Sequence, residues 1–227
     1  MRNFLTFLYR LVRPFQVVDV TQLMHWDEAD SNWPVTPAGY RVRVIAAREL
    51  DELNRRADAP ELIGTSETIA DGTRACVGVF EGLKCVSYMW VATGFVEDAN
   101  NFSRSPHLGT SMDLPHGCGF VFNAWTDPEH RGKRLIGVLL GYVIRHRVLA
   151  SRQLLTTMDW TNLRSQRAFG HFGMKSLGRI WRLGLSRCQL TLLPRVPDSL
   201  DLVMASDVHG LVLSPRKGSV DTVTALR

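Results

Sequence analysis

Polar and apolar residues alternate over residues 40–45 (Y-R-V-R-V-I), which predicts a β-strand with one buried face. A helix is predicted over residues 48–57. Two β-rich runs follow at 73–80 and 83–92, and the Glu81-Gly82 pair between them indicates a hairpin turn. The hydrophobic run 119–126 predicts another strand.

The second half alternates between helical and extended patterns. Apolar residues at i, i+3, i+4 and i+7 spacing predict a helix over residues 135–150. A strand over 154–160, a helix over 162–172 and one or two strands within 180–193 complete the pattern. The order β-α-β-β-loop-β-α-β-α-β predicts an α/β (α+β) fold with a mixed sheet. Residues 97–117 lack periodicity and predict a long loop, a kind of segment that is often functional.

Both ends of the chain differ from this central region. Residues 1–15 predict a short basic amphipathic helix, 27–39 a linker, and 194–227 a C-terminal appendage that is partly disordered. We therefore expect three parts: residues 1–38, 39–193 and 194–227. The amphipathic segment has two interpretations. It could lie on anionic lipid as a peripheral contact with the inner face of the membrane, or it could pack on its own domain or on a second subunit of a homodimer.

Composition narrows the class of protein. The 227 residues are 45% hydrophobic and 22% charged, which is ordinary for one globular domain with appendages. No apolar run approaches the roughly 20 residues needed to cross a bilayer, and the N-terminus lacks a signal-peptide cleavage site. The four cysteines form no CxxC pair, so neither a zinc knuckle nor a thioredoxin-like site is indicated. We expect a cytoplasmic protein with reduced thiols.

Positive charge is concentrated in one part of the chain. The formal net charge is +5, but residues 129–187 hold twelve Lys and Arg residues against only Glu129 and Asp159. Such a field would steer a polyanion to this region. Coenzyme A, an acidic acyl carrier protein and RNA would all be attracted, and a solvated basic face without a ligand is the remaining alternative.

The segment 128–137 (P-E-H-R-G-K-R-L-I-G) lies between a predicted strand and a predicted helix. A basic, glycine-containing turn that leads into a helix presents backbone N–H groups and a positive helix end to an anion, most naturally a phosphate. The candidates for this loop are Arg131, Gly132, Lys133, Arg134, Leu135 and Ile136, with Gly137 if the register slips by one residue.

A second motif lies downstream. Residues 162–174 (N-L-R-S-Q-R-A-F-G-H-F-G-M) match the pattern N-x-x-S-x-x-x-[FY]-x-x-x-G-[FM]. Together, the two segments resemble the GNAT superfamily of acyl-CoA-dependent N-acyltransferases over roughly residues 40–190. The first corresponds to the family's pyrophosphate loop, [RQ]-x-x-G-x-[GA]. This chain departs from that loop, because Arg134 replaces its glycine and Ile136 its final Gly or Ala.

The resemblance implies a fold, a co-substrate and a set of contacts. The family's mostly antiparallel twisted sheet, flanked by helices, has two central strands that splay apart and admit a pantetheine arm. Acetyl-CoA or another acyl-CoA is then the co-substrate, and no metal is implied. Main-chain groups at Trp125 and Thr126 would form hydrogen bonds with the amides of pantetheine. Asn162 and Ser165 would add contacts to the pantetheine arm, and asparagine is also a favoured residue at a helix N-cap. Phe169 stands where many members carry a tyrosine that protonates the departing thiolate.

The proton-transfer groups and the acceptor remain open. Asp159 and His116 are candidate bases, with His107 a further histidine of the same loop, and Tyr142 is a candidate acid beside Tyr88. The acceptor implied is a small-molecule or peptide amine that attacks the thioester directly in a ternary complex.

Two alternative functions remain. One alternative is an acyltransferase that uses long-chain acyl-CoA or acyl carrier protein near the membrane. The other is a non-catalytic module whose basic face binds RNA or a protein partner.

Overall fold

The computed structural model describes residues 17–27, 33–55, 66–185, 188–197, 200, 202–205 and 210–213. The predicted amphipathic segment 1–15 lies outside these residues. These residues form three α-helices: α1 (Ala47–Arg55), α2 (Leu135–Arg145) and α3 (Leu163–His171). The strands are β1 (Val18–Trp26), β2 (Tyr40–Val44), β3 (Arg74–Glu81), β4 (Lys84–Ala92), β5 (Phe95–Val96), β6 (Ser111–Asp113), β7 (Cys118–Thr126), β8 (Gln153–Asp159), β9 (Lys175–Leu185), β10 (Cys188–Leu192), β11 (Val203–Ala205) and β12 (Gly210–Leu213).

Nine strands form one sheet in the order β12-β10-β9-β1-β8-β7-β4-β3-β2, and β11, β6 and β5 form a smaller one. Neighbouring strands are antiparallel except in the pairs β7–β8 and β10–β12, which are parallel. The parallel pair β7–β8 is joined through α2, as a parallel connection requires. The predicted fold class, a mixed and mostly antiparallel sheet flanked by helices, is confirmed.

Each face of the sheet has its own hydrophobic cluster. Helix α1 packs on one face through Leu50 and Leu53. Helices α2 and α3 cover the other face, where Leu139 and Phe169 are buried. Among the described residues, no helix combines the length and apolar character needed to cross a membrane.

The strand β1 is the main difference from the sequence expectation, which placed residues 18–26 in an N-terminal segment. It lies inside the sheet, antiparallel to both β8 and β9. Eight of its nine residues are buried. A strand buried on both faces shows no alternation of polar and apolar residues, so periodicity could not reveal it. Two short strands, β11 and β12, likewise fall within the predicted appendage 194–227.

Helix α2 is shorter than the predicted helix over 135–150. It ends at Arg145 because Arg147, Leu149 and Ala150 all have left-handed backbone angles, with φ of 47°, 53° and 59°. An α-helix cannot continue through such residues. A 3₁₀ turn, Val148–Ala150, leads the chain into β8.

The predicted loop 97–117 is fastened to the sheet by a fully buried ion pair. Arg182 on β9 donates to the Asp19 carboxylate of β1 over 3.1 Å, and both side chains are 0% exposed. The same carboxylate accepts the backbone N–H groups of Ser103 and Arg104 at 3.0 and 2.9 Å. Burial lowers the pKa of Arg182 to about 10, while Asp19 opposes this shift.

Candidate functional site

The two parallel strands β7 and β8 separate part-way along their length. They pair only from Cys118 to Val121, opposite Gln153–Thr156. The Thr156 hydroxyl donates to the Val121 carbonyl over 2.8 Å at the last paired position. Beyond it, β7 continues to Thr126 with no β8 partner, so the splay implied by the family resemblance is present in this structure.

The free end of β7 is held from its other side by β4. A register shift between Tyr88 and Trp90 and a left-handed Asn123 (φ 46°) mark a bulge in this pairing. Past the bulge, the Ser87 hydroxyl donates to the Trp125 carbonyl over 2.8 Å. The rings of Tyr88 and Trp125 stack with centroids 5.8 Å apart. The outer part of β7 is therefore ordered, while its edge facing β8 is free of a neighbouring strand.

A cavity of about 610 Å³ opens beside this edge. It is bounded by the end of β7, the loop before α2, the first turn of α2 and helix α3. Its lining residues are Ala124, Trp125, Thr126, His130, Arg131, Gly132, Arg134, Leu135, Ile136, Asn162, Arg164, Ser165, Arg167, Ala168, Phe169, His171 and Phe172. Ten of the twelve residues predicted to bind the co-substrate thus line one cavity; Lys133 and Gly137 do not.

The loop before α2 is shaped by local hydrogen bonds. The Asp127 carboxylate accepts the Glu129 backbone N–H at 3.0 Å and pairs with Lys84 at 2.8 Å. These two contacts hold the pKa of Asp127 below its ordinary value. Further along, Arg131 Nε donates to the Thr126 carbonyl over 3.2 Å, which ties the loop back to the end of β7.

Arg134 occupies the position where the family pattern has glycine. It adopts the left-handed conformation that glycine adopts most readily, with φ 59° and ψ 24°. Gly132 is also left-handed, with φ 84°. The loop therefore has left-handed backbone angles at both positions, although Arg134 stands in place of the glycine of the family pattern. The Arg134 side chain is exposed and is part of the cavity lining.

Backbone N–H groups at this corner are available to a ligand. Within the described residues, the N–H groups of 132–137 donate to no protein acceptor, because the first backbone bond of α2 runs from Val138 to the Arg134 carbonyl. Unpaired N–H groups at a helix N-terminus carry partial positive charge. Leu135 and Ile136 line the cavity, so their N–H groups border it.

Charge in the cavity is of one sign. Arg131 and Arg134 come from the loop, Arg164 and Arg167 come from α3, and none of the described residues that line the cavity is acidic. All four arginines are exposed at the surface of the cavity. The basic field expected from residues 129–187 is thus focused on a concave site, which favours an anionic ligand.

Two residues of the predicted loop face elsewhere. Lys133 Nζ donates to the Tyr40 hydroxyl over 2.6 Å, and this hydrogen bond raises the pKa of Lys133. Gly137 packs against α3, since a Cβ atom at this position would lie 2.3 Å from Cε1 of Phe172. Their positions favour structural roles: Lys133 fastens the loop to β2, and Gly137 permits close contact between α2 and α3.

Asp159, a predicted base, is engaged by other residues. Its carboxylate pairs with the Arg104 guanidinium and accepts the Thr161 N–H and hydroxyl at 2.7 and 2.6 Å. Burial alone would raise the pKa of Asp159, but these hydrogen bonds outweigh it and the pKa lies below its ordinary value. It does not line the cavity, so its position does not support a role as the base.

The other two predicted proton-transfer residues are also absent from the cavity. Tyr142 borders a separate groove of about 490 Å³ between β2 and α2, where its ring lies 4.2 Å from that of His146. His116 precedes Cys118 at the opposite end of β7 from Thr126. An eight-residue rise along a strand is roughly 27 Å. Neither side chain lines the cavity, and the sequence had no means of assigning either one to an end or a face of the fold.

Helix α3 forms the second wall of the cavity. Its N-cap, Asn162, accepts the Ser165 backbone N–H at 3.1 Å, as the capping prediction expected. Phe169 is buried against α2 and lines the cavity without offering a proton donor. Sequence reasoning missed some lining residues: His130, Arg164, Arg167, Ala168, His171 and Phe172. The i, i+3 spacing of the two arginines was a signal that could have identified them.

No family model and no curated protein matches the sequence. The chain is similar to GNAT acetyltransferases of known structure. A GCN5-related N-acetyltransferase from Kribbella flavida is 15% identical with a TM-score of 0.47, and the match covers 75% of this chain and 60% of that one.

Two further solved structures give the same result. A tandem GNAT protein from the clavulanic acid biosynthesis pathway is 18% identical with a TM-score of 0.48, covering 71% of this chain and 51% of that one. A GCN5-related N-acetyltransferase from Sphaerobacter thermophilus is 14% identical with a TM-score of 0.43, covering 77% and 54%. This chain spans less than two thirds of the length of each of the three structures.

Proposed function

We propose that this protein is an acyl-CoA-dependent N-acyltransferase that transfers an acyl group, most simply acetyl, to an amine acceptor. The observation that carries the proposal is the cavity between the free edge of β7 and the N-terminus of α2. It combines unpaired helix N–H groups, four arginines and an absence of acidic lining residues. If the diphosphate of CoA binds at residues 131–136, the pantetheine arm can lie along the free edge of β7.

The free edge of β7 suits an extended amide-containing chain. From Phe122 to Thr126, this edge has no β8 partner, and the exposed Ala124 lines the cavity. Pantetheine carries two amide groups that can hydrogen bond with a strand edge in the manner of an added strand. An N–H group that polarises the thioester carbonyl would lower the barrier by about 3–4 kcal/mol.

In the proposed reaction, the amine nitrogen attacks the thioester carbonyl carbon. An amide bond forms, the C–S bond breaks, and the proton released by the amine is matched by one taken up by the departing thiolate. His130 and His171 are the imidazoles that line the cavity. His130 Nδ1 lies 3.0 Å from the Tyr40 hydroxyl and its Nε2 lies 3.9 Å from the Glu81 carboxylate, so both of its ring nitrogens have a neighbour within the protein. Phe169 cannot donate a proton, so a lining imidazole or water serves as the acid in this proposal.

The test is binding of CoA and acetyl-CoA, followed by calorimetry and thermal unfolding. A ligand present at 100 times its Kd should stabilise the protein by about 2.7 kcal/mol. The informative variant is Arg131→Gln combined with Arg134→Gln, which removes both loop arginines from the cavity. We expect it to weaken CoA binding at least tenfold, since charge-assisted contacts to phosphate are lost.

The matched control is Arg55→Gln combined with Arg152→Gln. Both arginines are exposed and lie outside the cavity lining, and their removal changes the net charge by the same amount. The control should bind CoA within about twofold of the unmodified protein. Absence of CoA binding to the unmodified protein, or equal losses in the two variants, would reject the proposed site.

A further inference from the structure

Strand β2 ends the nine-stranded sheet on one side, and among the described residues β3 is its only neighbouring strand. Just after β2, the Ile45 N–H donates to the Cys76 carbonyl, which continues the pairing with β3, over 2.8 Å. The backbone groups of an antiparallel strand alternate in direction, so the N–H and C=O groups of Val42 and Val44 point away from β3. The open edge of β2 therefore presents donors and acceptors with the spacing that another strand would match.

A groove of about 490 Å³, the β2 groove, lies between this strand and helix α2. Its far wall is one face of α2, because Val138, Tyr142 and Arg145 follow one another at helical spacing. Among the described residues, the β2 groove shares none of its lining with the cavity. An extended chain that paired with β2 would place alternate side chains on the side of the sheet that α2 covers. The β2 groove is thus a separate surface, shaped for an extended chain.

The charge of the β2 groove is positive. Arg41, Arg43 and Arg145 line it, and none of its described lining residues is acidic. Arg43 pairs with Glu49, and Arg145 donates to two backbone carbonyls. Arg41 is exposed and makes no hydrogen bond or ion pair with any described residue. At least one guanidinium group beside the open edge is therefore available to a carboxylate of a ligand.

We propose that the β2 groove binds an extended acidic segment of a partner protein, which adds to the sheet as a further strand beside β2. Main-chain hydrogen bonds would supply affinity, and acidic side chains opposite the arginines would supply specificity. A second copy of this chain suits the edge less well, because pairing β2 with β2 would bring arginines of like charge together. RNA has the required charge but lacks the regular alternation of N–H and C=O groups.

The first experiment measures peptide binding to the full-length protein by fluorescence anisotropy. The probe is a labelled peptide of about eight residues in which Glu alternates with Val or Thr. We expect saturable binding that weakens as salt is added. Two control peptides should each bind at least about tenfold more weakly: one has Lys in place of Glu, and the other is N-methylated at its central amides. Absence of binding by the acidic peptide, or equal binding by either control peptide, would overturn the proposal.

Residue-resolved amide exchange, measured by NMR, tests where the peptide binds. The Val42 and Val44 amides should exchange rapidly in the free protein, because they point to the open side of the sheet. Saturation with the acidic peptide should slow both by at least about tenfold. Binding of the peptide without protection of these two amides would refute strand addition at β2.

A charge reversal tests the contribution of the arginines. Arg41→Glu should weaken binding of the acidic peptide at least about fivefold. The matched control is Arg152→Glu, at an exposed position outside the β2 groove, which changes the net charge by the same amount. It should bind the peptide within about twofold of the unmodified protein. Equal losses in the two variants would mean that general charge attracts the peptide, which would overturn the assigned surface.

The same variant separates this inference from the proposed function. Arg41→Glu should bind CoA as the unmodified protein does, because Arg41 does not line the cavity. Absence of CoA binding to the unmodified protein would reject the proposed function, while the peptide measurements would still decide the role of the β2 groove.

Two further measurements examine the other occupants. Sedimentation of the unmodified protein reports its oligomeric state, and a dimer with protected Val42 and Val44 amides in the absence of peptide would overturn the proposal in favour of a second copy. A short single-stranded uridine oligonucleotide tests RNA. Tighter binding of the oligonucleotide than of the acidic peptide, with loss of that binding in Arg41→Glu, would also overturn it.

Discussion

Gly137 offers a direct test of how α2 and α3 form the cavity. A Cβ atom at this position would lie 2.3, 2.4 and 2.7 Å from three carbons of the Phe172 ring. Ordinary carbon–carbon contacts are about 3.5–4.0 Å. Phe172 is buried and also lines the cavity, so Gly137→Ala must displace the ring or move the two helices apart. Overpacking of this kind costs about 1–3 kcal/mol.

Gly170 supplies the matched control, because it lies in α3 and an added Cβ would meet nothing within 4 Å. Replacing a helical glycine by alanine gains about 1 kcal/mol in either helix. The propensity gain cancels when the two variants are compared. Gly137→Ala should therefore be less stable to urea than Gly170→Ala by about 1–3 kcal/mol, and it alone should weaken CoA binding.

A double variant tests whether the Phe172 ring causes the destabilisation of Gly137→Ala. Phe172→Leu removes two of the three ring carbons that the new Cβ would meet, so it should relieve part of the strain in Gly137→Ala. A double-mutant cycle would then show a favourable coupling of at least about 0.5 kcal/mol. Equal stability of Gly137→Ala and Gly170→Ala, or additive effects of Gly137→Ala and Phe172→Leu, would refute the proposed contact between α2 and α3.

Three further predictions concern the ion pair, the loop and the thiols. Asp19→Ala should destabilise the protein by about 3–5 kcal/mol in urea unfolding, because it leaves Arg182 buried without its counter-ion; a loss below 1 kcal/mol would contradict this. Arg134→Gly should be more stable than Arg134→Ala by about 1 kcal/mol in thermal unfolding, because the left-handed conformation disfavours alanine; the reverse order would exclude backbone strain. Burial raises the pKa of Cys118 to about 12 from an ordinary value near 9, so unfolding releases its proton and stability falls as pH rises from 9 to 12. Cys118→Ala should flatten that fall in pH-dependent unfolding, and an unchanged slope would count against the buried thiol as its cause.

Local signals were sufficient for the elements that alternate or repeat with helical periodicity. The hairpin of β3 and β4 was predicted from its β-rich runs and the turn at Gly82, which is left-handed with φ 59°. Helix α3 was predicted together with its cap, because Asn162 precedes a helical pattern and its side chain accepts an N–H group from the first turn of the same helix. These features depend on residues close in sequence.

The candidate site was predicted in part for the same reason. The loop 131–136 and the motif starting at Asn162 are continuous segments, and the structure brings both to one cavity. The proton-transfer candidates Asp159 and Tyr142 lie outside that cavity, because their positions depend on residues distant in sequence. Asp159 is engaged by Arg104, which is 55 residues away in sequence, and Tyr142 borders a different groove.

By itself, the sequence determined the mixed sheet, the basic loop before α2 and the helix that faces it, since each follows from periodicity, turn residues and charge over short stretches. Only the tertiary structure decided the place of β1, whose polar residues Asp19 and Gln22 are buried because Arg182, Ser176 and a backbone carbonyl of β9 satisfy them. It also decided where β7 and β8 part and which arginines border the opening. Those features arise from pairing between segments far apart in the chain, and a local pattern of residues cannot record such pairing.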